Sequence, residues 1–488
     1  MSVITANRNK IFKVGFFQCQ IVKELPHMNM PLFVNDIKAL GCSFECICAA
    51  RSKVNDLIRY LKEKEFDLIA VDYTFPVVFL NELKELFPKS KFVIGGNGFL
   101  DTFLKSMIDF AVIGAGRESF LRLAEALKNK TDVCEIPNLF FRIKKSNRTF
   151  IDYSGKNVNF DLRRELFPYN PFLKWKYIGF TRKDKVVDPP AIIAEFGCAY
   201  RSRKLNHNYD NLSKGALSGN NFSAKARKRI MDLFKERMRG GCSFCTCAGT
   251  HVFLPVKETV TCLIEQAKFL QKTYGFKSFV IGSENPFRFI EQLIHQMAEE
   301  NINIEILAIR SRVDWVNKNK RTLLKIVGLA KKNNFVISLQ QLGFESFIQN
   351  DLDIYNKGYR VAENFKAVGL IRKLKDIAPR NFQDGGHGFI GINPWITLQD
   401  LEKYCESAGH MQFLFDLFNF GNGLVLYDSC LPIYQKLKKD GLLIECETDL
   451  DRWRFKDKNI TCFINDFITG RAKIKEAKPD KLHEELPL

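Results

Sequence analysis

The sequence predicts an α/β protein: a doubly wound, Rossmann-like sheet, then a full or partial (β/α)6 barrel, then a small C-terminal α/β extension. Three observations carry that reading. Short apolar segments alternate with helix-spaced segments over roughly the first 145 residues, and such alternation builds a parallel sheet covered by helices. The same alternation resumes between about residues 191 and 410. A chain of 488 residues also exceeds the size at which one hydrophobic core stops growing. The expected division is a Rossmann-like domain over 1–145, a connector over 146–190, a barrel over 191–410 with an insertion at 202–239, and an extension over 411–488.

In the first half, strands are expected at 11–19, 44–49, 66–73, 92–94 and 110–113, where apolar, β-branched and aromatic residues run together. Helices are expected at 31–40, 54–64, 79–86 and 118–128, where apolar residues recur at helical spacing. A doubly wound sheet binds ligands beyond the carboxyl ends of its strands. Two glycine clusters fall at such ends, Gly95-Gly96-Asn97-Gly98 and Gly114-Ala115-Gly116. Glycine lets a backbone approach a ligand closely, and the helix N-terminus after the second cluster favours anionic groups. An ordinary strand-to-helix turn has the same requirement, so Gly95, Gly96, Gly114 and Gly116 are at once candidate ligand contacts and turn formers.

Residues 146–190 lose periodicity and gather proline and charge, as a connector does. Beyond them, strands are expected at 191–196, 278–281, 304–309, 336–342, 388–392 and 413–418. Helices fall between them at 256–274, 287–299, 318–332, 361–374 and 398–408. About six such units suggest a barrel, whose chemistry lies where strands deliver their carboxyl ends. Cys198 stands just past the first of these strands.

Composition limits what that site can be. Hydrophobic residues are 46% and charged residues 26% of the chain, the makeup of a globular protein. The longest apolar runs, such as 66–80, carry aspartates and a proline and fall short of a bilayer span, so no transmembrane helix is predicted. Residues 1–13 lack an apolar core followed by a small-residue cleavage site, and no secretory signal is expected. With 14 cysteines, this points to a reducing, cytoplasmic setting in which thiols serve metal binding or burial. Cys42, Cys46 and Cys48, at a helix-to-strand junction, are assigned to burial. The net charge of +19 would suit a partner with phosphates. Basic residues are nevertheless spread through the chain without a zinc finger, an RNP motif or a basic zipper, which argues against nucleic acid.

The cysteines near residue 240 are the sharpest signal. Gly240-Gly241-Cys242-Ser243-Phe244-Cys245-Thr246-Cys247 sets two thiols at a spacing that can serve one metal centre, and Glu195-Phe196-Gly197-Cys198 offers a third. Three thiolates on a four-iron cluster leave one iron open. Alone, the downstream pair also suits a zinc knuckle or a redox pair.

Taken in order, these segments resemble the radical S-adenosylmethionine enzymes, specifically the class B, methyltransferase-like group with an N-terminal cobalamin-binding domain. In that group the first barrel strand ends in Gly-Cys, followed by two more cysteines in the pattern Cys-x-x-x-Cys-x-x-Cys. Gly197-Cys198 is similar to the first half of the pattern and Cys242-Ser243-Phe244-Cys245 to the second. Gly282-Ser283-Glu284-Asn285-Pro286 is similar to the family's Gly-Gly-Glu-Pro segment, and Ser311-Arg312 closes the third strand. Gly343-Phe344-Glu345-Ser346 with Tyr355-Asn356-Lys357-Gly358 resembles the segment after the fourth strand. Gly391-Ile392-Asn393-Pro394 resembles the fifth-strand segment, and Leu426-Tyr427-Asp428-Ser429 the stretch that ends the catalytic region. The resemblance runs from about residue 10 to 443.

It implies a cofactor set and a mechanism. Cys198, Cys242 and Cys245 would hold a [4Fe-4S] cluster whose open iron is chelated by S-adenosyl-L-methionine. One electron, from a donor such as ferredoxin or flavodoxin, would split the sulfonium into methionine and a 5'-deoxyadenosyl radical. Phe244 would pack beside the adenine. Gly282, Ser283 and Glu284 would hold the methionine end, with Glu284 accepting its ammonium. Arg312 would meet the carboxylate or the ribose, and Glu345 would serve the substrate or orient the ligand set. Cobalamin would carry a methyl group to an unactivated carbon of a small-molecule or peptide substrate. Cyclisation and ring contraction are alternatives within the group, and a nucleic-acid-binding protein using the basic insert is the alternative outside it.

Two departures stand against the pattern. About forty residues separate Cys198 from Cys242 where the family has three, and they read as a polar loop followed by the basic helix Lys225-Ala226-Arg227-Lys228-Arg229. The cost of closing a loop grows slowly with its length, so a surface insertion of this size is tolerable. A ligand set of Cys242, Cys245 and Cys247, or a site disabled by the insertion, are the other readings. Otherwise Cys247 is a small buried side chain behind the cluster loop. The second departure is that Asp-x-His-x-x-Gly, which marks histidine-ligated cobalamin, is absent. His27 falls in the right loop without those neighbours. Cobalamin without a histidine ligand to cobalt is therefore expected, a vestigial domain that binds none being the other reading.

Overall fold

The structure is a computed structural model that describes residues 11–20, 36–50, 53–72, 75–96, 99–114, 116–145, 148–156, 175–179, 189–201, 221–238, 240–247, 252–390, 392–409, 431–446 and 452–463, with Phe33, Tyr209, Leu424 and Ser429. The first half runs β1 (Lys13–Gln20), β2 (Ser43–Ala50), α1 (Val54–Leu61), β3 (Leu68–Asp72), α2 (Val77–Leu86), β4 (Lys91–Gly95), α3 (Phe99–Lys105), β5 (Phe110–Val112), α4 (Arg117–Asn129), β6 (Leu139–Lys145), β7 (Arg148–Tyr153) and β8 (Trp175–Ile178). These strands form one eight-stranded sheet in the order β7-β6-β5-β4-β3-β1-β2-β8. The pairings among β1 to β5 and between β2 and β8 are parallel, while β6 joins β5 and β7 joins β6 antiparallel.

Successive side chains of a strand face opposite sides, so a run that is apolar at every position must be covered on both. Val14, Phe16, Leu68, Ala70 and Val93 pack in one layer with Phe120, Leu123 and Ala124 of α4. Phe17, Cys19, Ile69, Val71 and Ile94 pack in the other with Leu57 and Leu61 of α1 and Leu80 and Leu83 of α2. Cys42, Cys46 and Cys48 are buried within this half, as the sequence implied. The strand order reverses between β1 and β3, and a doubly wound sheet forms its ligand crevice at the carboxyl ends beside such a reversal. His27 lies outside the described residues. Part of the segment read as a connector is drawn into this sheet, because Phe150-Ile151-Asp152-Tyr153 alternates in strand fashion and pairs along β6.

The second half contains β9 (Ala191–Ile192), β10 (Glu195–Phe196), α5 (Ala224–Met238), β11 (Val252–Phe253), α6 (Val256–Tyr274), β12 (Ser278–Ile281), α7 (Ile290–Glu299), β13 (Ile306–Ile309), α8 (Val313–Lys318), α9 (Lys320–Asn333), β14 (Val336–Gln340), β15 (Gly343–Glu345), α10 (Gln349–Ile354), α11 (Val361–Ile377), β16 (Phe382–Gly385), β17 (Gly388–Phe389) and α12 (Leu398–Gly409). A five-stranded parallel sheet has the order β16-β14-β13-β12-β9. Its core joins Ile192, Phe279, Ile281, Leu307, Ile309, Ile337 and Leu339 to apolar faces of α6, α7, α9 and α11. The fifth strand of this sheet is β16, not the expected 388–392. Phe-Gln-Asp-Gly shows no apolar run, and its Asp384 is buried against His387 and Lys375 rather than exposed. Gly388–Phe389 instead pairs in parallel with Gly343–Glu345. The strand expected at 413–418 lies outside the described residues. The C-terminal part shows α13 (Pro432–Lys439) and the antiparallel pair β18 (Leu443–Ile444) and β19 (Arg452–Trp453). Among the described residues no helix is long and apolar enough to cross a membrane.

Candidate functional site

The glycine clusters hold their places at strand ends of the first sheet. Gly95 ends β4, and Gly96 and Gly114 adopt φ of 99° and 74°, a region only glycine enters freely. Gly116 precedes α4, and a Cβ there would stand 3.0 Å from Val112 Cγ1. Just beyond the first cluster, Asp101 of α3 accepts the Ser429 N–H at 2.6 Å, and Lys105 donates to the Cys446 carbonyl at 3.0 Å. The glycine-bearing end of the first sheet thus faces the C-terminal part of the chain.

The cysteine site is built where the barrel strands end. β10 pairs antiparallel with β11, Glu195 opposite Phe253 and Phe196 opposite Val252. The chain therefore leaves at Gly197 and returns at Val252 beside the point it left. This ladder closes the ends of the insertion, and Gly197, with φ of 81°, turns Cys198 out of the strand. The insertion's helix does not stand free. Ser223 Oγ accepts the Ala226 N–H at 3.0 Å as the cap of α5, and Asn221 and Ser223 pair by backbone with Ile151 of β7. One turn apart, Ala226, Ile230 and Phe234 enter the same apolar layer as Phe140, Ile151 and Tyr153. At its far end Arg237 donates to the Thr246 carbonyl at 3.1 Å, and the chain passes through Gly240 and Gly241 into the cysteines.

That cysteine loop is pinned by the barrel. Ser243 donates from its hydroxyl to the Ile354 carbonyl at 2.7 Å and from its N–H to the Tyr355 carbonyl at 3.0 Å, while its own carbonyl accepts the Ile433 N–H at 3.1 Å. Asn356 Nδ2 donates to the Gly241 carbonyl at 2.7 Å. Tyr209, within the insertion, donates its hydroxyl to the Ile354 carbonyl as well. Phe244 meets Tyr355 edge to face with ring centroids 5.5 Å apart.

Cys198, Cys242 and Cys245 come together here, with Cys247 beside Cys245. Burial pushes the Cys198 thiol up to about 12; the Tyr200 N–H, 3.4 Å from its sulfur, pulls it down, and Cys242, Cys245 and Glu284 push it further up. The Cys242 thiol is raised by burial against the opposing pull of Lys357 and Arg312. Cys245 is raised by its hydrogen bond with Cys247 and by burial. Thiols held protonated mainly by burial are those a metal centre would deprotonate. Among the described residues no three His, Cys, Asp or Glu side chains converge on a single ion. A four-iron cluster asks for a wider set, with each thiolate on its own iron, and three neighbouring thiols fit that demand.

Around them the next strands deliver charge. Gly282 follows β12 and donates its N–H to the Ile192 carbonyl at 2.8 Å; a Cβ there would crowd Ile193. Ser283 bonds the buried Glu195, which Arg288 also meets at 3.4 Å. Burial raises the Glu284 carboxyl, Arg310 and Lys357 lower it, and Glu195 and Glu345 raise it again, with a net upward shift. Beside it, Asn285 Oδ1 and Ser311 Oγ are buried without a hydrogen-bond partner among the described residues, which suits a polar ligand held between β12 and β13. Arg312 is buried and donates from Nε to Asp314 at 3.0 Å, from Nη1 to Cys242 Sγ at 3.2 Å and from Nη2 to the Lys357 carbonyl. Its guanidinium lies over the Tyr200 ring, 3.5 Å from the centroid. Glu345, at φ of 61°, bonds the buried Lys357 at 3.2 Å.

Lys357, Tyr200 and Glu195 are the residues that sequence reasoning left out of the site. The run Tyr355-Asn356-Lys357-Gly358 was the available signal for the lysine, and Tyr200 follows Cys198 by two positions.

No family model matches the chain. An uncharacterized protein of Methanocaldococcus jannaschii is 29% identical over an alignment of 182 residues that covers 34% of this chain and 52% of that protein. The chain thus spans about half the length of that curated relative. Among solved structures, the cobalamin-dependent S-adenosylmethionine radical enzyme OxsB, with aqua-cobalamin and S-adenosylmethionine bound, matches with a TM-score of 0.56 at 13% identity, covering 92% of this chain and 65% of that one. The radical S-adenosylmethionine methyltransferase TsrM from Kitasatospora setae, with cobalamin and a [4Fe-4S] cluster bound, matches with a TM-score of 0.50 at 13% identity, covering 82% and 70%. The chain has the fold of the cobalamin-dependent radical S-adenosylmethionine enzymes.

Proposed function

We propose that the chain is a radical S-adenosylmethionine enzyme that transfers a methyl group, by way of cobalamin, to an unactivated carbon of a small-molecule or peptide substrate in a reducing, cytoplasmic setting. The observation that carries this reading is the return of Cys198 to Cys242 and Cys245 across the insertion, at the carboxyl ends of the barrel strands. When bound, a reduced [4Fe-4S] cluster supplies the electron that cleaves S-adenosylmethionine, and cobalamin carries the methyl group.

The chain's own residues have separate tasks in this proposal. Cys198, Cys242 and Cys245 bind the cluster, and the hydrogen bonds at Ser243 fix the loop that presents two of them. Glu284, Asn285 and Ser311 receive the polar groups of S-adenosylmethionine between β12 and β13. Gly95, Gly96, Gly114 and Gly116 would let the first sheet approach cobalamin. Phe244, wedged against Tyr355, walls the site, and Glu345 with Lys357 faces it from β15.

Anaerobic reconstitution with iron and sulfide, iron counting, the cobalamin absorption spectrum and an assay for 5'-deoxyadenosine test the proposal together. Cys198→Ala should lose the cluster and Cys247→Ala should keep it. A full cluster in Cys198→Ala would move the ligand set to Cys242, Cys245 and Cys247. Reconstituted protein that forms no 5'-deoxyadenosine, while binding random RNA in a steeply salt-dependent way, would overturn the enzyme reading.

A further inference from the structure

We propose that Arg312 is a positioning residue for the iron-sulfur cluster, a fixed hydrogen-bond donor to the Cys242 sulfur that raises the cluster's reduction potential. This rests on the ligand set proposed above. Each of the three guanidinium nitrogens has a partner: Nε on Asp314 at 3.0 Å, Nη2 on the Lys357 carbonyl and Nη1 on Cys242 Sγ at 3.2 Å. The plane of the group is fixed as well, since it stacks on Tyr200 at 3.5 Å. Tyr200 is itself anchored, its hydroxyl donating to the Asn356 carbonyl at 3.0 Å, and its N–H points to Cys198 Sγ at 3.4 Å. The aromatic ring that orients Arg312 therefore sits two residues from one proposed ligand and directs the guanidinium at another.

A planar fork held on three sides loses little freedom in making its remaining bond, and a charged donor to a thiolate is among the stronger hydrogen bonds. A cluster core held by three thiolates is already an anion, and adding an electron makes it more so. Hydrogen bonds to the ligand sulfurs stabilise the reduced form and move the potential upward. Arg312 is 5% exposed, so its charge acts in a medium that screens it poorly. Contact with the carboxylate or ribose of S-adenosylmethionine, the role the resemblance implied, would require the guanidinium to give up partners that the fold already provides.

The test is an EPR-monitored redox titration of reconstituted full-length protein without S-adenosylmethionine. Arg312→Gln should keep its iron and show a midpoint potential shifted to more negative values, with Arg312→Lys in between. Tyr200→Leu removes the stack but neither the donor nor a ligand, and should shift the midpoint in the same direction by less. Full iron with an unchanged midpoint in Arg312→Gln overturns the proposal, as does weakened S-adenosylmethionine binding as that variant's sole change. If Arg312→Gln takes up no iron, Tyr200→Leu decides alone, and an unmoved midpoint there overturns the proposal. Wild-type protein that assembles no cluster would defeat the proposed function itself, a result distinct from an assembled cluster insensitive to Arg312.

Discussion

Gly358 shows how little room the site leaves. It adopts φ of 70°, and a Cβ there would run into the Tyr200 hydroxyl. Gly358→Ala should therefore cost about 1–3 kcal/mol in urea unfolding, the range for residues forced into a sparsely populated backbone region. Glu345 carries a different burden. With side chains 12% and 3% exposed, Glu345 and Lys357 form a buried pair, and removing one charge strands the other. Glu345→Gln should destabilise by about 3 kcal/mol, and adding Lys357→Met should recover much of the loss, because an apolar replacement of a whole pair is often neutral. A double-mutant cycle in urea reads both. The sequence marked the segment around Lys357 but not the lysine's place, since its partner stands twelve residues upstream. Only the fold brings β15 and the turn after α10 together.

The insertion between Cys198 and Cys242 behaves as an element of the first half. Its basic helix was legible from Lys225 to Arg229, and so was the tolerance for length. Its docking was not legible. Ala226, Ile230 and Phe234 give only a narrow stripe, and nothing local to them names Phe140 and Tyr153 as the surface they cover. Phe234→Ala should cost about 3–5 kcal/mol. Because α5 runs directly into the cysteine loop, the same change should lower iron uptake on reconstitution, whereas Lys228→Ala should alter neither. The fifth strand of the second sheet, expected at 388–392 and found as β16, was misplaced for a related reason. Its ordering groups are polar: His387 accepts the Leu342 N–H at Nδ1, 3.2 Å away, and so donates from Nε2 to Asp384, also at 3.2 Å. Burial opposes the Asp384 charge, but hydrogen bonds from His387 and Lys375 outweigh it and hold the carboxyl below its usual range. A depressed carboxylate adds stability that is fully present above the ordinary aspartate value, about 3.9, and lost as pH falls through the lower folded value. Wild type should thus lose stability below about pH 4 in a step that Asp384→Asn lacks, seen in urea unfolding across pH.

At the scale of the whole molecule, the two sheets and their order of elements were readable because periodicity is a property of each segment taken alone. What joins the halves was not, because single contacts such as Asp101 with Ser429 link residues far apart in sequence. The net charge of +19 belongs to this scale too. Any affinity for random RNA should fall steeply from low to moderate salt and show no sequence preference, measured by fluorescence anisotropy. The two-sided anchoring of the cysteine loop has a consequence for how the protein is made. Cys198 follows β10, while Cys242 and Cys245 lie on a loop held between α5, seated on the other sheet, and the turn after α10. On the proposed ligand set, the three thiols are held in place only when both of these anchors are made. Iron uptake on reconstitution should then report whether α5 is docked, so that a bound cluster marks the joining of the two sheets.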